Sequence, residues 1–216
     1  MRVSNKHGWI RIATQVLFLG MFAFLLFAGR LQLWFGIFAI GIVLSPLLGR
    51  VYCGWMCPMN TLFKPISRLY AAAGWKRLRM PRFITAHPLI RIVPLAAFIA
   101  GMIAMRKAGI SVPILAFMTL AAVFLTLFFE EAFWHNAVCP FGTLLSVSSR
   151  TSVLRHRIQE DKCISCGKCQ KVCPVHAIDT GDDGKRSIRA HDCISCGECV
   201  KACPTAAIAY SGKSKP

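Results

Sequence analysis

The sequence predicts a two-part fold, an α-helical membrane region followed by a small cysteine-rich α+β domain, and three observations support this prediction. First, 55% of the 216 residues are hydrophobic and only 16% are charged, which is more apolar surface than one water-soluble core can bury. Second, all 9 acidic residues follow residue 129, whereas residues 1–129 carry 14 of the 26 Lys and Arg residues. Third, 8 of the 11 cysteines follow residue 162, in two tight groups.

Four apolar stretches are long enough, or almost long enough, to cross a bilayer as helices of about 20 residues. They cover residues 12–29, 31–49, 89–105 and 108–129. Only Arg30 separates the first two, and only Arg106 and Lys107 separate the last two. We therefore predict four transmembrane helices arranged as two hairpins within a domain of residues 1–149, followed by a second domain of residues 150–216.

The basic residues around these stretches predict the orientation of the chain. We count 3 basic residues in the two short hairpin connections and 11 on the opposite side of the membrane. The 11 are Arg2, Lys6, Arg11, Arg50, Lys64, Arg68, Lys76, Arg77, Arg79, Arg82 and Arg91. The positive-inside rule then places both termini, and with them the second domain, on the cytoplasmic side of the cell (inner) membrane. The basic excess thus indicates contact with membrane lipid, and we expect no binding of nucleic acid.

Each predicted hairpin ends in a similar segment, which indicates an internal repeat. Cys57 and Cys139 occupy equivalent positions, each followed by proline, and His135 stands where the first copy has Cys53. If the segments are helical, Cys53 and Cys57 lie on one face, because residues four apart are neighbours. The two copies, which we call the first and second membrane motifs, are residues 53–62, CGWMCPMNTL, and residues 135–144, HNAVCPFGTL.

A second repeat, with a period of 30 residues, follows the pattern C-x2-C-x2-C-x3-C-P twice, in residues 163–173 (the first cysteine run) and 193–203 (the second cysteine run). This spacing is typical of bacterial-type ferredoxins, in which three cysteines hold one [4Fe-4S] cluster and the fourth reaches the other. The first cluster is then expected on Cys163, Cys166, Cys169 and Cys203. The second is expected on Cys193, Cys196, Cys199 and Cys173. Zinc is disfavoured because its sites usually draw on separated cysteine pairs, and disulfides because the predicted compartment is reducing.

The combination of C-x3-C-P at the ends of membrane helices with a two-cluster ferredoxin resembles the NapH/NosR/CcoG-type family of membrane iron–sulfur proteins. The resemblance implies an electron-transfer subunit, not a stand-alone enzyme, working between the quinone pool or a membrane flavin partner and a redox partner subunit or soluble carrier. It leaves two alternatives open, a maturation factor that reduces a metal or cofactor and a passive membrane anchor for an oxidoreductase. The chain departs from the family at His135, where the family often has cysteine.

The membrane motifs together offer three thiolates and one imidazole: Cys53, Cys57, Cys139 and His135, the surface set. Such a set suits a four-coordinate metal or an iron–sulfur cluster with one histidine ligand, so we consider a third redox centre at the membrane surface. The alternative is that these are packing residues at helix ends. Glu130 and Glu131, which end the fourth apolar stretch, are expected to be ordinary helix-end charges that face water.

Overall fold

A computed structural model describes residues 6–81, 88–109 and 113–212 of the chain. Each of the four apolar stretches contains a helix. Arg2 and Arg82, which contribute to the predicted orientation, lie outside the described residues. A short 3-10 turn at Leu31–Leu33 leads into the second helix. The helices are α1 (Lys6–Phe27), α2 (Trp34–Leu48), α4 (Pro88–Lys107) and α5 (Ile114–Phe128).

Within the described residues, three helical segments are long and apolar enough to cross a bilayer: Gly8–Phe27, Leu31–Leu48 and Leu89–Lys107. The fourth apolar helix, α5, has 15 residues and is shorter than these three. Large apolar side chains such as Val43 and Phe124 are exposed on the outside of the helices. The N-terminal region is therefore helical and strongly apolar, while the number of four crossings stays a prediction.

The two membrane motifs have the same local structure. Each contains a five-residue π-helical turn, Tyr52–Met56 in the first motif and Trp134–Val138 in the second. The backbone N–H of Cys57 closes the first turn by donating to the carbonyl of Tyr52 (3.0 Å), and that of Cys139 closes the second by donating to the carbonyl of Trp134 (2.8 Å). The segments are therefore not α-helical, and both cysteines have extended backbone angles. The following helices, α3 (Pro58–Ala72) and α7 (Pro140–Ser148), begin with proline, which needs no N–H partner there. π-helical turns are frequent at functional sites.

A short helix, α6 (Glu131–Phe133), precedes the second motif and corrects one expectation. Glu131 does not face water: it is buried and accepts a hydrogen bond from the hydroxyl of Ser67. Burial raises the pKa of Glu131. Glu130 is half-buried and lies 2.6 Å from Nε2 of His176 in the cysteine-rich tail. Both carboxylates therefore take part in internal contacts.

The tail is a small α+β unit made of two antiparallel strand pairs and two short helices. Strand β1 (Arg155–Ile158) pairs with β4 (Ile208–Ser211), so that the first and last strands lie side by side. Strands β2 (Ile178–Thr180) and β3 (Arg186–Ile188) form a hairpin, as the Gly-Asp-Asp-Gly turn between them predicts. The two helices are α8 (Lys168–Lys171) and α9 (Glu198–Ala202).

The tail is joined to the membrane region by backbone hydrogen bonds at the end of α2. The last carbonyls of a helix have no partner within the helix and need one from elsewhere. Here the N–H groups of Val153 and Leu154 donate to the carbonyls of Pro46 (3.1 Å) and Leu47 (2.8 Å). The hydroxyl of Tyr210, in β4, donates to the carbonyl of Leu48 (2.7 Å).

Candidate iron–sulfur sites

The two cysteine runs share one backbone conformation. Ser165 and Ser195 have φ angles of 56° and 53°, and Gly167 and Gly197 have φ angles of 72° and 73°. Glycine adopts this left-handed conformation readily, whereas serine rarely does. The repeated strain at serine indicates that the turn is imposed by the geometry of the loop, which curls the three cysteines of each run around a common centre.

Each run borders a small cavity, and each cavity also receives the fourth cysteine of the other run. The first cavity is lined by Cys163, Cys166, Cys169 and Cys203. The second is lined by Cys193, Cys196, Cys199 and Cys173. The structure thus brings together the two sets of four cysteines on which the sequence predicts clusters. Ligation itself stays a prediction.

The donor set of each cavity fits an iron–sulfur cluster. All four candidate ligands are sulfur atoms, and backbone N–H groups of Ala177 and Ala207 lie 3.3 Å from Sγ of Cys173 and Cys203, respectively. Burial opposes ionisation of Cys203, but hydrogen bonds from Thr205 and Ala207 prevail and lower the pKa of this thiol. Donors aimed at sulfur favour the thiolate that iron requires.

Two polar side chains at the cavities were not singled out from the sequence. Arg186 lines the first cavity and His156 lines the second. They are 30 residues apart, the period of the repeat, which is the signal that could have identified them. His156 is buried, and its Nδ1 has no hydrogen-bond partner among the described residues.

The first membrane motif packs directly on the second cysteine run. Gly54 approaches so closely that a Cβ atom there would lie 2.2 Å from the carbonyl oxygen of Ile194. The indole N–H of Trp55 donates to the carbonyl of Ser195 (3.0 Å). The residue between Cys53 and Trp55 must therefore be glycine for the two segments to meet backbone to backbone.

The carbonyl of Gly54 is held in place by three buried side chains. It accepts hydrogen bonds from Nε of Arg11 (3.1 Å), Nε2 of Gln15 (2.9 Å) and Nδ2 of Asn60 (3.4 Å). Arg11 also forms an ion pair with Glu198 at the start of α9. Helix α1 thus positions the first motif and contacts the tail with the same arginine.

The second membrane motif contacts the segment that follows Cys173. Nδ2 of Asn136, the residue equivalent to Gly54, donates to the carbonyl of Val175 (2.8 Å). Both Asn136 and Val175 are buried. The two motifs therefore contact the two separate chain segments that supply cysteines to the second cavity.

The surface set lies in the buried core between the membrane region and the tail. Burial raises the pKa of Cys57 well above its ordinary range, and the neighbouring Cys53 and Cys139 thiols raise it further. Burial raises the pKa of Cys139 to about 12, and Cys53 adds to the rise. Without a bound cation these thiols are therefore neutral, and metal binding is what makes the thiolate favourable.

His135 is also buried in this core and is unusual in its hydrogen bonding. Its side chain packs edge-on against the ring of Phe63, at 5.6 Å between ring centroids. Neither ring nitrogen has a hydrogen-bond partner within the part of the chain that the structure describes. Burial lowers the pKa of His135 to about 3, so the ring is neutral and one nitrogen is free to act as a ligand.

Across residues 6–81, 88–109 and 113–212, no three Cys, His, Asp or Glu side chains are grouped as ligands of a single metal ion. This holds for the surface set and also for the cysteines of the tail. In a [4Fe-4S] cluster each cysteine binds a different iron, so its ligands are spread more widely than those of one ion.

A larger, mostly apolar cavity of about 650 Å³ lies between the end of α2 and the second cysteine run. Leu48 and Val51 line it on the membrane side, and Cys196 lines it on the tail side. Arg11 and Lys201 also line it, and both form ion pairs with Glu198. The cavity therefore connects the edge of the membrane region with a candidate cluster ligand.

Comparison with protein families gives two matches. Residues 156–210 match a 4Fe-4S dicluster domain. Residues 31–76 and 111–159 match a 4Fe-4S binding domain, and these two segments contain both membrane motifs. No solved structure matches the chain.

Several relatives are similar over most of this chain. The putative electron transport protein YccM of Escherichia coli is 31% identical over 157 residues, covering 62% of this chain and 43% of the relative. The methylamine utilization ferredoxin-type protein MauN of Methylorubrum extorquens is 30% identical, covering 58% and 47%. The ferredoxin-type protein NapH of Haemophilus influenzae is 25% identical, covering 63% and 52%. The chain thus spans about half the length of these relatives.

Proposed function

Because the chain belongs to the NapH-type family of membrane ferredoxins, we propose that it relays electrons between a membrane partner and a redox enzyme of the cytoplasm or membrane. One observation carries the proposal: both membrane motifs contact the segments that hold the cysteines of the second cavity, through Gly54 and Asn136. A relay needs such direct contact, whereas a passive anchor could be attached anywhere.

We assign the clusters to the two cavities of the tail. Cys163, Cys166, Cys169 and Cys203 hold the first [4Fe-4S] cluster, and Cys193, Cys196, Cys199 and Cys173 hold the second. The all-sulfur donor sets and the N–H groups aimed at sulfur support this assignment. When bound, the clusters supply one-electron redox chemistry.

We assign a third redox centre to the surface set of Cys53, Cys57, Cys139 and His135. Support comes from the buried, unpartnered ring of His135 and from the match of a 4Fe-4S binding domain across both motifs. The centre is either an iron–sulfur cluster with one histidine ligand or a four-coordinate metal ion.

We further propose four membrane-spanning helices in two hairpins, with both termini and the tail in the cytoplasm. The N-terminal end of α1, the C-terminal end of α2 and the N-terminal end of α4 all contact the tail, through Arg11, Arg50 and Arg91. These three helix ends are the ones that the positive-inside rule places together. A reporter fused after residue 150 tests this, because high periplasmic activity is incompatible with the proposed orientation.

As the membrane partner we propose a quinone, bound in the apolar cavity beside Cys196. The cavity has an apolar wall facing the membrane region, and Arg11 and Lys201 offer donors to the carbonyl oxygens of a quinone ring. Val51→Trp fills part of this cavity and is expected to slow the oxidation of the reduced protein by a short-chain quinone. Val43→Trp, at an exposed position in α2, is the matched control.

The central test is iron analysis of the anaerobically purified chain with its cysteine variants. Two clusters account for about eight irons, so a reproducible excess that Cys57→Ser or Cys139→Ser removes, with unchanged signals from the tail clusters, supports the third centre. An iron content of eight with unchanged electron transfer in both variants would mean that the surface set has only a packing role. If variants of the membrane motifs all leave electron flow intact, the chain is an anchor and the relay is wrong.

A further inference from the structure

Arg50, which follows α2, is a fully buried cation, with 0% of its surface exposed. A guanidinium taken out of water is strongly destabilising unless negative charge is close by. Two other arginines of this region have a carboxylate partner: the buried Arg11 pairs with Glu198, and the half-buried Arg91 lies 2.8 Å from Asp192. Within the described residues, no carboxylate forms an ion pair with Arg50.

The contacts of Arg50 come from both halves of the molecule. Nη1 donates to the carbonyls of His191 (3.1 Å) and Asp192 (3.4 Å), the two residues that precede Cys193. Nη2 donates to the carbonyl of His135 (3.5 Å) and lies 3.9 Å from Sγ of Cys53. The guanidinium thus lies between the second cysteine run and both membrane motifs.

The space for this cation is built into the second motif. A Cβ atom at Gly142 would lie 2.9 Å from Nη2 of Arg50, so glycine is needed for the guanidinium to fit. The guanidinium lies against the thiol of Cys53 on one side and against the backbone that leads into Cys193 on the other.

Building on the proposed function, we propose that Arg50 is a positioning residue whose counter-charge is the anionic cluster on Cys193, together with the thiolates of the surface set. An added electron makes a cluster more negative, and a buried cation stabilises that state more than the oxidised one. Arg50 therefore raises the reduction potential of the second cluster and of the surface centre together, which couples the membrane region to the tail. Arg50 forms no hydrogen bond with the first cysteine run among the described residues, so the potential of the first cluster is expected to depend on it little.

The test is a potentiometric titration of the full chain, purified anaerobically in detergent, with the cluster signals followed by electron paramagnetic resonance. In Arg50→Gln, the midpoint potential of the second cluster is expected to fall while that of the first cluster stays unchanged. Arg50→Lys keeps the charge and is expected to restore most of the potential. Arg30→Gln is the matched control, because it removes the same charge at the other end of α2, about 30 Å away.

Each outcome decides the proposal. An unchanged second-cluster potential in Arg50→Gln, with both clusters present, overturns it. If Arg50→Gln does not hold the second cluster, retention of the first cluster and rescue by Arg50→Lys support it. Loss of both clusters without rescue by lysine shows a purely structural role and overturns it. If the wild-type chain lacks two cluster signals, the proposed function itself fails, which is distinct from all of these results.

Discussion

The two cysteine runs begin with the same five residues, Cys-Ile-Ser-Cys-Gly, and fold into the same turn, yet one lies at the surface and the other inside. Ile164 exposes 62% of its surface, whereas the equivalent Ile194 exposes 1%. Cys166 is exposed and Cys196 is buried. Since the sequence and backbone of these five residues agree, the difference comes from the membrane region, whose first motif packs on the second run. Identical local chemistry thus gives an inner and an outer redox site, according to what covers each one.

Gly54→Ala is expected to have the largest effect, because it disrupts the contact that buries the second cysteine run. The added methyl group meets the backbone oxygen of Ile194, which no side-chain rotation can move away, so we expect a cost of about 3 kcal/mol and loss of the second cluster. Iron content and cluster spectra of membranes measure it. Gly36→Ala, where a Cβ meets nothing within 4 Å, is the matched control and is expected to behave as wild type. Equal losses in both variants would contradict the docking.

Cys203→Ser tests which run each fourth cysteine serves. Because Cys203 lines the cavity of the first run, its replacement is expected to damage the exposed, first cluster and to spare the second. Cys173→Ser is the reciprocal variant and is expected to damage the second cluster. Spectroscopy that resolves the two clusters measures both. Damage confined to the second cluster in Cys203→Ser would show that each run uses its own four cysteines.

The equivalent isoleucines allow the same substitution to be made in the two environments. Ile194→Ala removes a buried side chain and is expected to destabilise the folded chain by about 2–5 kcal/mol. Ile164→Ala, at the exposed position, is expected to stay within about 0.5 kcal/mol of wild type. Retention of the cluster absorbance on heating compares the two variants. Similar shifts in both would mean that a further protein covers the first run in the purified sample.

Trp55→Phe is expected to give the smallest effect. It removes the single hydrogen bond to the carbonyl of Ser195 while keeping an aromatic ring, which corresponds to about 1 kcal/mol. The same thermal measurement detects it, with Trp75→Phe as the control at an exposed tryptophan. A larger loss than that of Ile194→Ala would place the main docking energy in this bond instead of in the apolar contact.

Repetition is the part of the fold and of the candidate sites that the sequence predicted well. The period of 30 predicted the paired turns, and the Gly-Asp-Asp-Gly segment predicted the β2–β3 hairpin. The paired C-P segments predicted two copies of one local structure. The π-helical turn in both membrane motifs was not predicted, because the choice between i→i+4 and i→i+5 hydrogen bonds at Cys57 and Cys139 depends on tertiary packing.

Contacts between the two regions could not be read from the chain. Gly54 looks like any glycine of a loop, and Arg50 counts in the sequence as one more cytoplasmic charge. The positive-inside count treats every basic residue as solvated, whereas Arg11, Arg50 and Arg91 are bound to the tail. Glu131 was expected to face water, but it is buried and accepts a hydrogen bond from the hydroxyl of Ser67, which belongs to another helix. Pairings of this kind depend on residues far apart in the sequence.

The hydrogen bonds at the end of α2 have a consequence for how the protein is made. The carbonyl of Leu48 receives its donor from Tyr210, which is synthesised 162 residues later. Until the tail has been made, the last carbonyls of α2 therefore lack these donors. This helix end is completed only when β4 is in place, so the membrane region and the tail reach their final structure together.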